Sequence, residues 1–220
     1  MKLISRVAAA AAALAFAASP ASAVTFAQVF QQNPGTPFVH TGGAGGATIT
    51  AMTPMIFNVL DLGPLGIYGI TAMTVNASSS AGIVDTGPQF EQVGWSGTIT
   101  FLDGMTNVLT VNFTTGVLNV SKGAAGNQSG SLFASAFCGT ALCYTSDVLN
   151  VDDLNINNFS LSFSSMSALY TVAGGDFAAS VSGTFAGAII PEPATWAMLI
   201  AGFGLVGFAA RRRRVSALSA

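Results

Sequence analysis

Residues 94–113, with the sequence GWSGTITFLDGMTNVLTVNF, decide the fold prediction. Apolar Ile, Phe, Val and Leu alternate with Thr, Ser and Asn on both sides of Asp103-Gly104, which is the period-2 pattern of half-buried strands. Asp-Gly is a preferred hairpin turn, because glycine accepts the positive φ that such a turn demands. The stretch therefore predicts two strands, 94–102 and 107–113, joined by a hairpin turn.

The same alternation recurs through residues 24–190, and no stretch there has a convincing 3.6-residue apolar stripe. Glycine-rich segments at 42–46, 123–126 and 174–175 are predicted to be loops. About ten short strands predict an all-β domain, an antiparallel β-sandwich like a jelly roll. A β-solenoid is the alternative, although no fixed repeat supports it. The further predicted strands are 24–30, 47–52, 55–60, 66–75, 116–120, 130–137, 155–164, 168–172 and 177–189.

The N-terminal segment has the three parts of a secretory signal peptide. A basic start precedes the alanine-rich apolar run 7–18, and Pro20 then ends the helix. Small residues occupy the −3 and −1 positions before Val24, namely Ala21 and Ala23. Residues 1–23 are therefore predicted to be a signal peptide, with the general secretion machinery and signal peptidase as partners.

Near the C-terminus a Pro-Glu-Pro triplet, an apolar span and a block of four arginines follow one another. Residues 194–210 carry no charge, and as a helix at ~1.5 Å per residue they reach roughly 25 Å. That is at the short end for a hydrocarbon core of ~30 Å, but the arginines oppose translocation. A membrane-inserted helix is therefore preferred over a buried core helix, with 215–220 as a short cytoplasmic tail.

The order of these parts resembles the PEP-CTERM sorting signal, in its PEPxxWA variant, over residues 190–214. The resemblance rests on Pro191, Glu192, Pro193, Trp196, Arg211, Arg212, Arg213 and Arg214. It implies processing at or near the triplet by an exosortase, a membrane-embedded transpeptidase or protease of the cysteine type. It also implies a Gram-negative bacterium that makes exopolysaccharide, and a precursor anchored in the inner membrane before release or surface display.

Charge is scarce between the two targeting segments. Residues 24–190 hold one base, Lys122, and eight acids, so their net charge is 1 − 8 = −7. This balance argues against nucleic acid and anionic membrane surfaces as partners. Solubility must come from Ser, Thr, Asn and Gly, which suits a protein of a hydrated matrix. The acids are Asp61, Asp85, Glu91, Asp103, Asp147, Asp152, Asp153 and Asp176.

Cys138 and Cys143 are the two cysteines of the chain. In an oxidising compartment such a close pair predicts one small-loop disulfide. Free thiols are the alternative. A metal site would need further ligands, and the one histidine, His40, lies about a hundred residues away along the chain.

Few residues suggest catalysis. His40 follows a short apolar pair beside a glycine-rich segment and is interpreted as a surface histidine. Asp85 and Glu91 lie in a segment with Gly and Pro, where a glycosidase would need two carboxylates that flank a sugar bond. They are interpreted as ordinary loop charges. Trp95 is expected to pack in the core of a sheet.

The segment 147–155 concentrates oxygen-bearing side chains, among them Asp147, Asp152 and Asp153. Calcium takes six to eight oxygen ligands, so part of a calcium site is a weak alternative. The glycine and final glutamate of an EF-hand loop are absent, and a polar turn between strands is preferred. No cofactor is expected.

These observations favour a non-enzymatic secreted or cell-surface protein of the exopolysaccharide matrix. The first alternative is a carbohydrate-binding module for exopolysaccharide, and a weaker one is a secreted hydrolase. Exposed aromatic side chains would favour the binding module, and paired carboxylates in one cleft would favour the hydrolase.

Overall fold

The structure is a computed structural model and describes residues 23–43, 45–60, 66–124, 126–152, 154–189 and 202–203. The signal segment before Ala23 and nearly all of the sorting segment lie outside these residues. Within the described part of the chain, no helix has the length and apolar character to cross a membrane. The chain divides into two compact units after Ile189. In the second unit, Gly202 and Phe203 are helical.

The first unit is built from eleven strands in one antiparallel sheet. The strands are β1 Ala23–Gln31, β2 Phe38–Gly43, β3 Gly46–Val59, β4 Gly66–Ser79, β5 Ile83–Asp85, β6 Gln89–Asp103, β7 Thr106–Ser121, β8 Gly130–Phe137, β9 Leu142–Thr145, β10 Leu154–Ser164 and β11 Phe177–Ile189.

The sheet closes on itself into a barrel. Its wall follows the chain in the order β1, β3, β4, β6, β7, β8, β10 and β11, and β11 pairs with β1 to complete the ring. The short strands β2, β5 and β9 extend the pairing at the ends of β1, β4 and β8.

The all-β class and the antiparallel pairing are confirmed, but the predicted two-sheet sandwich is wrong. One closed sheet replaces it. The period-2 pattern separates the side chains of a strand into two opposite faces, and both a sandwich and a barrel have such an alternation. Closure depends on the pairing of β6 with β7 and of β11 with β1, which no local pattern specifies.

The predicted hairpin of residues 94–113 is confirmed. Asp103 pairs with Thr106, so the turn contains Gly104 and Met105, and Gly104 has a φ of 62°. Glycine at the first turn position with positive φ is typical of a tight turn that matches the twist of the strands. The second strand is longer than predicted, because the two runs on either side of Thr114 join in β7.

Strand β3 passes through Pro54, where the sequence predicts a break between two strands. The carbonyl oxygen of Pro54 points toward Gln32, and a strand residue directs its nitrogen to the same side. On that side β1 ends opposite Met55 and β2 begins opposite Ala51, so neither strand requires the missing N–H. Proline is tolerated where no ladder bond is lost.

Aromatic side chains fill the interior of the barrel. Phe57 packs on Phe101 at 5.0 Å between ring centroids, and Phe101 on Phe185 at 5.5 Å. Farther along, Phe113 contacts Phe159 at 5.0 Å. These five rings are buried, in keeping with an eight-stranded barrel, whose interior is about wide enough for its own side chains.

Two connecting segments cover the ends of the barrel. Segment 146–152 turns Leu149 and Val151 inward, and segment 165–176 buries Tyr170 completely. The predicted strand 168–172 is therefore wrong. At the centre of this segment the backbone of Tyr170 bonds a side chain instead of a neighbouring strand. The Tyr170 N–H donates to Gln128 Oε1 at 2.7 Å, and the Tyr170 carbonyl accepts from Gln128 Nε2 at 3.0 Å.

Candidate functional site

His40 lies inside one end of the barrel, so its interpretation as a surface residue is wrong. It belongs to β2, whose alternation buries Phe38 and His40 and exposes Val39 and Thr41. The glycine-rich segment that suggested a loop is mostly strand, because β2 continues to Gly43 and β3 starts at Gly46.

Two Gly-Gly dipeptides, Gly42-Gly43 and Gly174-Gly175, bring two backbone segments close together beside His40. Gly43 forms a β-bridge with Gly174, and a Cβ atom built on Gly174 would collide with the Cα atom of Gly43. Nearby, the Gly42 N–H donates to Asp176 Oδ1 at 2.8 Å. The glycines are needed for close approach of two backbones, and this contact encloses the histidine.

Aromatic rings surround the buried imidazole. Phe177 stacks on it with ring centroids 4.9 Å apart and planes 4° apart. Tyr170 meets it edge-on at 5.2 Å, and Trp95 lies at 5.8 Å. Trp95 is fully buried, as the sequence predicts.

The hydrogen bonds of His40 fix its tautomer. Its Nδ1 lies 3.0 Å from the carbonyl oxygen of Gly175, and a carbonyl only accepts, so Nδ1 carries the proton. Among the described residues, Nε2 of His40 and Nε1 of Trp95 have no hydrogen-bond partner. Burial lowers the pKa of His40, opposed by the bond to Gly175 and by the charge of Asp176. The ring is therefore a neutral group inside an aromatic cluster.

Polar side chains complete this cluster. The Tyr170 hydroxyl donates to Gln92 Oε1 at 3.2 Å, and Gln92 Nε2 donates to the Ala81 carbonyl at 2.9 Å. Burial raises the pKa of the Tyr170 phenol above its usual range. Sequence reasoning missed Gln92 and Tyr170, because isolated polar residues in a Ser- and Thr-rich chain carry no periodic signal.

The two carboxylates considered for glycosidase chemistry are not paired in one cleft. Asp85 forms an ion pair with Lys122 at 2.6 Å, and the hydrogen bond from Lys122 lowers the pKa of that carboxyl group. Glu91 pairs laterally with Val84 in the β5–β6 ladder. Because successive residues of a strand alternate in direction, Asp85 and Glu91 point to opposite faces.

The carboxylate of Asp147 accepts the backbone N–H of Asn107 at 3.0 Å, which supports the predicted polar turn. Asp152 is exposed, and Asp153 lies outside the described residues. Within the part of the chain that the structure describes, no three His, Cys, Asp or Glu side chains assemble as a metal-ligand set. The calcium alternative stays a prediction.

The disulfide between Cys138 and Cys143 is present, with Cα atoms 4.5 Å apart. It joins the end of β8 to β9 and so supports the pairing of Cys143 with Asn112 in β7.

The outward side chains of β1, β11, β10 and β8 form a distinct surface, here called the aromatic face. Phe30 is 41% exposed and Phe133 is 38% exposed. Among the described side chains of the barrel these are the exposed aromatic ones. A shallow groove of about 240 Å³ lies beside Phe30 over small residues of β11 and β10. Sequence reasoning missed both phenylalanines, because nothing local separates them from the core phenylalanines.

The described residues define an all-β protein with one closed antiparallel sheet and one disulfide. Residues 190–214 match the family described as the PEP-CTERM protein-sorting motif, so that resemblance is confirmed. The motif indicates an exported protein that is anchored near its C-terminus and processed by an exosortase. The match covers the sorting segment and not the barrel. No curated protein and no solved structure matches the chain.

The residues that carry the motif lie outside the described residues: Pro191, Glu192, Pro193, Trp196, Arg211, Arg212, Arg213 and Arg214. Ala21 also lies outside them, whereas Ala23 and Val24 begin β1. Cleavage before Val24 would leave the rest of β1 paired with β11, and the cleavage position stays a prediction.

Proposed function

We propose that the barrel is a non-enzymatic protein of the exopolysaccharide matrix of a Gram-negative bacterium, delivered there by its sorting segment. The match of residues 190–214 to the sorting motif is the observation that carries the proposal. The barrel supports it in two ways. Its interior is filled by aromatic side chains, and its one histidine is enclosed as a neutral group.

A hydrolase is less well supported, because the candidate acids Asp85 and Glu91 point to opposite faces of the β5–β6 ladder. A carbohydrate-binding module is the second candidate. The exposed rings of Phe30 and Phe133 favour it, since binding surfaces combine aromatic contact area with a few polar groups.

Fractionation of cells that carry a variant sorting triplet tests the matrix proposal. Replacement of Pro191, Glu192 and Pro193 by alanine should leave an uncleaved precursor in the inner membrane, because it removes the prolines, which favour the extended backbone that a protease binds. Thr195→Ala is the matched control, because Thr195 occupies one of the two variable positions (x) of the PEPxxWA pattern, and it should give wild-type processing. Intact-mass measurement of the membrane, matrix and medium fractions gives the result.

Two outcomes contradict the proposal. The triplet variant could reach the matrix with the wild-type mature mass, which would make the segment a plain anchor. Alternatively, purified mature protein could shorten a polysaccharide during incubation, which would make the barrel an enzyme.

A further inference from the structure

The outward side chains of the aromatic face form two rows across its four strands. In one row Phe30 lies beside Ser182, which pairs with Ser162 and then with Ser131. The next row runs from Gln28 through Thr184 and Ser160 to Phe133. Because laterally paired residues point to the same side of a sheet, both rings and the hydroxyls between them share one surface.

The two rings stand on opposite sides of a strip of small side chains. Phe30 is on β1 and Phe133 on β8, three strand spacings apart, which is roughly 14 Å measured along the sheet. Between them, β11 and β10 contribute only serine and threonine to these two rows. Phe30 therefore borders a shallow depression whose floor carries hydroxyl groups of β11 and β10, and Phe133 lies on the next strand beyond that floor.

The face has no formal charge, since β1, β8, β10 and β11 contain no Asp, Glu, Lys or Arg. The charged side chains of the barrel lie near its two ends, as Asp85, Lys122 and Asp103 do. An anionic or cationic ligand would find no counter-charge on these four strands, so the face suits a neutral partner.

An added peptide strand is not a suitable occupant. Every residue of the two rows is paired on both sides, so this part of the face lacks the free edge that strand addition needs. A second copy of the chain is also disfavoured, because the core of a stable interface is largely apolar and the two rows offer two apolar side chains among hydroxyls.

We propose that the aromatic face binds a neutral polysaccharide chain. The apolar C–H faces of sugar rings pack on Phe30 and Phe133, and sugar hydroxyls bond the hydroxyls of Ser160, Ser162 and Thr184 in the strip between them. This inference rests on the proposed matrix function and assigns the contact with matrix glycan to one surface of the barrel.

Affinity electrophoresis of the mature protein tests the assignment. Native gels contain laminarin, galactomannan or dextran as neutral polysaccharides, and alginate as the acidic one. We expect retardation by at least one neutral polysaccharide and none by alginate. Phe30→Ser combined with Phe133→Ser should weaken the binding at least tenfold, because both rings are removed.

Met52→Ser is the matched control, since Met52 is 80% exposed on β3 outside the aromatic face. It should bind as the wild type does. The double phenylalanine variant should unfold at a lower temperature than the wild type but remain folded at the assay temperature, because more than half of each ring is covered by its neighbours.

The assignment is overturned if none of the three neutral polysaccharides retards the wild-type protein. It is also overturned if the double variant is retarded as strongly as the wild type. Sedimentation that shows a dimer lost in the double variant would assign the face to a second copy instead. Matrix fractionation is read separately. If the wild-type protein is absent from the matrix but is retarded by a neutral polysaccharide, the matrix function alone is refuted. If the protein is found in the matrix but its retardation does not depend on the two phenylalanines, this inference alone is refuted.

Discussion

The two halves of the barrel wall have similar small polar side chains but use them differently. The outward side chains of β3, β4, β6 and β7 are here called the threonine face, and one row crosses it through Thr50, Asn76, Thr98 and Asn112. In that row the Thr98 hydroxyl donates to Asn112 Oδ1 at 3.0 Å. The corresponding rows of the aromatic face each have one exposed phenylalanine, with serine or threonine on β11 and β10.

Amide side chains account for part of this difference. An asparagine accepts and donates at once, so it can bond a threonine on the neighbouring strand and remove both groups from competition for ligand. On the aromatic face Ser164 and Ser180 also bond each other, at 2.9 Å. Within the described residues, however, the serines and the threonine of the two rows have no side-chain partner, so their hydroxyls keep their hydrogen-bonding capacity for water or sugar. Similar composition on two faces therefore gives one surface that bonds to itself and one that suits a ligand.

The largest expected effect is on stability, when alanine replaces an inward-facing glycine in each half of the barrel. A Cβ atom added at Gly97 in β6 would lie 2.5 Å from the Cα atom of Ala77, which is backbone and cannot move aside. Gly97→Ala should therefore cost about 3 kcal/mol, as overpacked sites do. Gly183→Ala in β11 meets a Leu161 methyl group at 2.5 Å, which a rotamer change can move, and should cost about 1 kcal/mol. Urea unfolding of both variants measures the difference, and equal losses would contradict this account.

The disulfide between the end of β8 and β9 should contribute less than the Gly97 contact. Loss of the crosslink in Cys138→Ser with Cys143→Ser should cost about 2 kcal/mol, because the closed loop is short and restricts the unfolded chain little. Alkylation with and without reductant should differ by two thiols in the wild type. A variant as stable as the wild type would show that β9 stays paired with β7 without the crosslink.

His40 in β2 and Trp95 in β6 connect the two halves inside the barrel, and this contact should depend on pH. Burial lowers the pKa of His40, so the folded state binds fewer protons than the unfolded chain. The stability that depends on a neutral His40 is fully present above pH 6.5, which is the pKa of the histidine in the unfolded chain. It is lost as the pH falls from there toward the lower pKa of the folded state.

Thermal midpoints between pH 8 and pH 5.5 measure this loss. His40→Asn keeps a donor for the Gly175 carbonyl but cannot titrate, so its midpoint should depend less on pH than that of the wild type. The lower baseline stability of the variant does not affect the test. Parallel pH profiles for the two proteins would refute the role of His40.

The smallest expected effects lie on the outer surface. Thr98→Ala removes an exposed hydrogen bond and should cost about 0.5 kcal/mol, whereas Ser162→Ala should leave stability unchanged. Their effects on retardation by neutral polysaccharide should be reversed, with Ser162→Ala the weaker binder. Identical behaviour of the two variants in both measurements would remove the distinction between the faces.

The sequence by itself determined the sorting signal, the all-β class, the hairpin at Asp103-Gly104 and the pairing of Cys138 with Cys143, and it predicts the signal peptide. Each depends on neighbours along the chain: an ordered series of segments, a period of two, a turn dipeptide and a short loop between thiols.

Only the tertiary structure decided the closure of the sheet, the burial of His40 and the exposure of Phe30 and Phe133. Closure depends on β1 meeting β11 across more than a hundred residues. His40 is enclosed because Gly43 meets Gly174 from another part of the chain. A phenylalanine in an alternating strand has the same local pattern whether its face turns toward the core or toward solvent, and pairing with distant strands decides which face that is.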